Sequence, residues 1–241
     1  KYITCSNNCS LFGINISIRA LPFHQQDIAV GACASAALWS AQFAIKNWYD
    51  IPIRSLAEIT EKSRFYFDIP LYPSSGLTVD EVCKYLSDID VHFHPIELEA
   101  IYKSLQKQYP SEKEKIDLYM DYLLKSILSG YLDAGYPLIT VLHFINYRVG
   151  DNRCEYEILK ESYHLVVVSG YRKENDRIVE LYLHDDQVGP YCKAEVNSIF
   201  LDYEWSDEWD EIRLSTILVP VDHILRLPLI DIIDKYIIEY L

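Results

Sequence analysis

No apolar run in the 241-residue chain is long enough to span a bilayer, and no stretch has the form of a secretory signal. A cytoplasmic protein is the expectation. Positive charge is scarce: 22 Lys and Arg stand against 36 Asp and Glu, a formal charge of −14. No Lys/Arg cluster relieves that field, so nucleic acid and anionic membrane surfaces are poor partners. The six cysteines (Cys5, Cys9, Cys33, Cys83, Cys154, Cys192) do not make a disulfide framework of the small secreted kind in a chain this long. His92 and His94 share a strand face with Cys83 upstream, but no second pair stands at zinc-like spacing. No metal and no cofactor are expected. Internal repeats, low-complexity tracts and linkers are lacking too, so one domain over residues 1–241 is expected.

What the chain does have is apolar mass. Half its residues are hydrophobic, and its 20 tyrosines should be half-buried rings with wet hydroxyls. The first twenty residues read as short, apolar and turn-rich. A helix from about Gly31 to Trp48 is apolar or small on nearly every side, the pattern of a buried helix. Cys33, Ala37, Ser40 and Ala44 share one face that admits a close neighbour. Ser55 caps a short helix to about Arg64. Thr78 with Glu81, and Ser111 with Glu114, fit capping boxes. "VHFHPI" reads as a strand, and residues 97–132 read as helical with a break at Pro110. "YPLITVLHFI", "SYHLVVVSGYR", "RIVELYLHD" and "RLSTILVPV" read as strands. An amphipathic helix over about 229–241 ends the chain. Helices followed by a sheet make an α+β plan, with the buried helix of residues 31–48 packed on a C-terminal antiparallel sheet.

The chemistry centres on "HQQDIAVGACASAALWSAQ", residues 24–42. A cysteine nucleophile works as a thiolate, which a helix N-terminus and a histidine favour. Cys33 stands near the helix start. His164 heads a strongly apolar strand, an unusual place for a chargeable ring. Asp185 and Asp186 end the next strand, where a carboxylate can orient that histidine. The loop "DYEWSDEWDE" sets six acids, Asp202 to Glu211, around Trp205 and Trp209. It reads as a solvated acidic loop, or as a docking site for a basic partner.

The order Gln26, Cys33 on a helix, His164 heading "HLVVVSGY", then Asp185 closing "LYLHD" resembles a papain-like cysteine peptidase. The nearest branch is the double-glycine, bacteriocin-processing peptidase group. "SSGLTVDEV" and "LDAGYPLITVL" resemble its intervening elements, so the likeness covers about residues 22–192. The resemblance implies a papain-like fold with Cys33 as nucleophile and His164 as base and acid. It implies Asp185 as the orienting group and the side-chain amide of Gln26 as oxyanion donor. Asp186 and Gln25 stay open as alternatives to Asp185 and Gln26. It further implies a helical insertion at about 97–132, a peptide or protein substrate and thiol-dependent peptide-bond hydrolysis. The rival readings are another acyl transfer on such a site, as in a deamidase or transpeptidase, and an inactive binding module.

Overall fold

The computed structural model describes residues 1–25, 32–46, 48–64, 76–149 and 156–221. The expected oxyanion donor Gln26, the expected helix start Gly31, Cys154 and the expected end-helix at 229–241 lie outside the described residues.

The chain opens with an antiparallel hairpin of β1 (Cys5–Leu11) and β2 (Ile14–Ala20). This corrects the turn-rich reading of the first twenty residues. Leu11–Ile14, Cys9–Ile16 and Asn7–Ile18 are paired across the strands, and the alternate positions are Ser, Asn and Arg. That period-2 pattern is a strand pattern.

Helix α1 (Cys33–Ile45) is shorter than expected at both ends. Alanine is the best helix former, and Ala34, Ala36, Ala37, Ala41 and Ala44 are all buried. Helices α2 (Leu56–Ser63) and α3 (Val79–Asp88) each begin in a complete capping box, Ser55 with Glu58 and Thr78 with Glu81. Strand β3 (His92–Glu97) leads into α4 (Leu98–Gln108) and α5 (Lys113–Ala134). The Ser111–Glu114 capping box does not form. A turn closing on Tyr109 takes up Ser111, and α5 begins two residues later from Glu112 without a side-chain cap. Gly135 ends α5 at φ +93°, in the left-handed region where Gly costs least.

The remaining strands are β4 (Leu138–Val149), β5 (Tyr156–Glu174), β6 (Arg177–Asp185), β7 (Gly189–Asn197), β8 (Phe200–Asp202) and β9 (Glu211–Val221). Strands β7 and β8 are additions to the sequence reading, since β7 begins Gly-Pro and carries Lys193 and Glu195, poor strand signals. The strands β3 to β9 pair antiparallel in the order β3-β9-β4-β5-β6-β7-β8. Edge strand β8 pairs back to β9 through Phe200 and Arg213, so the sheet curls on itself. The architecture is α+β.

Leu165, Val166, Val167 and Val168 are all buried, so β5 is covered on both faces. Helix α1 packs on β4, β5 and β6, and α5 packs on the same three strands. Register sets Leu142 opposite His164 and Val167 opposite His184. That register brings the head of the β5 valine run to the end of β6. Among the described residues no helix is long and apolar enough to cross a membrane.

Candidate functional site

Cys33 is the first residue of α1. The residue before it, Ala32, offers no side-chain cap, so the leading N–H groups of the helix have no side chain of the cap to satisfy them. These groups and the helix dipole favour negative charge at this end. Cys33 is half-buried, and its thiol is one of the two groups that act to raise the His164 ring.

His164 comes from β5 and is 8% exposed. Its Nε2 stands 2.9 Å from Asp185 Oδ1, which leaves Nδ1 as the ring nitrogen for the thiol. Burial alone pushes the imidazolium down. The hydrogen bonds and charges of Asp185 and Cys33 outweigh it and raise His164 to about 10. The ring is held charged between its two partners.

Asp185 is fully buried at the end of β6. Its Oδ1 also accepts the backbone N–H of Gln187 at 2.9 Å and of Val188 at 3.4 Å. Its Oδ2 accepts the Tyr203 hydroxyl at 3.3 Å. Burial pushes this carboxyl up, but His164 and the two amides win and hold it below the usual carboxylate range. The same carboxylate pushes the Tyr203 phenol up, after burial.

Of the two candidate orienting groups, the hydrogen bond goes to Asp185. Asp186 Oδ1 is 3.5 Å from the same Nε2, outside good bonding distance. Gln25 is described and exposed. Two other thiols are held protonated: burial pushes Cys83 up and pushes Cys192 to about 12.

Sequence reasoning missed Tyr203. It lies 18 positions beyond Asp185, and only the turn from β7 through β8 brings it back. An aromatic line extends from the site. Phe144 meets His164 with ring centroids 6.2 Å apart, and Trp209 meets Phe144 at 5.5 Å. Lys160 Nζ stands 4.5 Å over the Trp209 ring. The acidic loop is thus tied to the site at both ends, through Tyr203 and Trp209.

His164, Asp185 and Asp186 have ligand atoms within 4.8 Å of one another. A metal there would have to displace the Nε2 proton from Asp185. It would also compete for an oxygen that already accepts two backbone N–H groups. The donor set is built for hydrogen bonds. Chemically, the arrangement can deliver a thiolate, stabilise the cation beside it and return its proton to a leaving group.

No family model matches the chain, and no curated protein matches it. Among solved structures it is similar to the peptidase domain of Streptococcus ComA, a bifunctional ABC transporter involved in quorum sensing. The identity is 17%, the TM-score 0.40, and the match covers 83% of this chain and 99% of that one.

Proposed function

We propose that this chain is a cysteine peptidase of papain-like fold. The observation that carries the reading is His164, bonded to buried Asp185 at 2.9 Å and raised by the Cys33 thiol at the head of a helix. Cys33 attacks the substrate carbonyl carbon and forms the C–S bond. His164, already an imidazolium, gives its proton to the leaving amine as the C–N bond breaks. It then takes a proton from water, which attacks the thioester; the C–S bond breaks, the acid is released, and thiolate and imidazolium are restored. Asp185 keeps the ring oriented and its charge balanced. Gln26 is assigned the oxyanion by the resemblance of the sequence; such a donor contributes about 3 kcal/mol to the transition state. In this reading the whole chain is one domain and α4–α5 is the insertion.

The exposed acids of residues 202–211 point to a basic segment in the substrate or partner, held beside His164. Binding that weakens steeply with added salt is the expected sign.

The deciding experiment is iodoacetamide labelling with the modified cysteine located by mass spectrometry, beside Cys33→Ser, followed by a peptide-substrate screen. Selective labelling of Cys33 below about pH 8 supports the reading. Labelling no faster at Cys33 than at Cys9, with no turnover of any peptide, would favour an inactive binding module instead. Turnover of a glutamine amide, or transfer to an amine, would move the assignment to a deamidase or a transpeptidase.

A further inference from the structure

Asp186 is the group at this site whose bonding does not close. It is 4% exposed, and among the described residues neither carboxylate oxygen has a hydrogen-bond partner. A buried carboxyl without partners is costly. His184, two residues earlier and 3% exposed, has the complementary gap. Its Nε2 donates to the Leu21 carbonyl at 3.2 Å, which makes Nδ1 a bare lone pair, and among the described residues that nitrogen has no partner. Burial keeps this ring neutral by pushing it down to about 4.

Both side chains line one small cavity with Phe23, Ala37, Ser40 and Leu165. Its volume is about 10 Å³, room for a single water. Ala37 and Ser40 come from α1, the helix that begins at Cys33. The cavity therefore lies between the nucleophile helix and the strands that carry His164 and Asp185.

We propose that this cavity is a single-water site bridging Asp186 to His184, and that Asp186 is a second positioning carboxylate of His164, behind Asp185. The inference rests on the reading of Cys33 and His164 as nucleophile and base. The ranking follows from the bonding. Nε2 carries one proton, and Asp185 takes it at 2.9 Å with its own oxygen fixed by two backbone N–H groups. Asp186, at 3.5 Å, contributes charge without taking the proton.

One water satisfies both protonation states of Asp186. With the carboxylate ionised, the water donates one hydrogen to it and the other to His184 Nδ1. With the acid protonated, the water accepts from the acid and still donates to Nδ1. Only the ionised form stabilises the imidazolium of His164.

The groups that face Asp186 are His164 from β5, Asp185 and His184 from β6, Tyr203 after β8 and His24 before α1. Burial raises Asp186 to about 6; His164 opposes the rise and Asp185 adds to it. The switch between the two forms falls where Cys33 reactivity can be followed.

The test is the pH profile of Cys33 alkylation by iodoacetamide, in the wild-type chain, Asp186→Asn and His164→Ala. The wild-type rate is expected to rise through a step at about pH 6. Asp186→Asn is expected to lose that step and to react about three- to tenfold more slowly at neutral pH. In parallel, the ¹⁵N shifts of the His164 ring in the wild-type chain are expected to bend near the same pH, a readout that needs no variant to fold. An unchanged profile in a folded Asp186→Asn, or a wild-type ring with no such bend, overturns the inference while the peptidase reading stands. If His164→Ala leaves alkylation unchanged, the nucleophile–base reading falls and takes the inference with it. A high-resolution crystal structure is expected to show the water between Asp186 and His184 Nδ1. Direct contact between the two side chains would overturn the bridge.

Discussion

The hydroxyl of Tyr203 reaches Asp185 Oδ2 at 3.3 Å, inside the protein. Every oxygen of Asp185 is thereby engaged, and the carboxylate presents one fixed face to His164. Removing the hydroxyl alone tests how much that fixing matters. Tyr203→Phe keeps the ring and strands a buried oxygen, so it is expected to cost about 1–3 kcal/mol in urea unfolding. Cys33 alkylation is expected to slow several-fold, because Asp185 gains freedom to turn from the ring. Unaltered stability and rate would mean the contact is incidental.

His164→Ala removes the cation that faces Cys33. Alkylation of Cys33 is expected to fall by about a hundredfold at neutral pH. Cys83 and Cys192, which burial already holds as thiols, serve as internal controls and should label as slowly as before.

Asp186 has a stability signature opposite to its proposed use. Its folded-state value is raised from 3.8 to about 6, so the folded chain binds that proton more tightly than the unfolded chain. Its contribution is present below the unfolded value and is lost as pH rises through about 6. Asp186→Asn is expected to stabilise the fold at pH 7 by about 1–3 kcal/mol and to give no gain near pH 4. Urea titrations at both pH values decide this. A gain in stability together with slower alkylation would mark a residue kept for function at the expense of the fold.

Gly170 holds the first residues of the chain against the sheet. A Cβ there would lie 2.6 Å from Tyr2 Cβ and closer still to the backbone oxygen of Lys1. Gly170→Ala is expected to release residues 1–3 from their bridge and from the Ser169 carbonyl. Limited proteolysis should then cut earlier near this end, and the melting temperature should fall. An unchanged digest would show that the two backbones can part without cost.

How much of this was legible follows from where the signals sit. The Thr78 box lies within four residues and formed as read. The β5 valine run and the end of β6 at Asp185 are strong local patterns, and they place two of the three central side chains. Ser111 failed as a cap because a turn from the preceding helix claimed it, which local spacing does not record. The hairpin at residues 5–20 gives a weak signal, because its alternation is of Ile with Ser and Asn, residues that loops also favour. The choice between Asp185 and Asp186 rests on distance to His164 Nε2, 2.9 Å against 3.5 Å, which only the tertiary fold sets. Adjacent identical residues carry no trace of it. Tyr203 and the Asp186–His184 cavity are products of tertiary closure, and no spacing in the chain announces them.

The curl of the sheet also sets a schedule. Cys33 is synthesised early, but its partner histidine, the carboxylate behind it and the hydroxyl behind that come from residues 164, 185 and 203. Strand β9, which joins β3 to β4 and receives β8, is made later still. Contacts this distant form late in folding. On a chain still being made, Cys33 has neither His164 nor Asp185 beside it. In the proposed reading Cys33 therefore meets its base only when nearly all of the sheet exists, and its chemistry is withheld from unfinished copies of the protein.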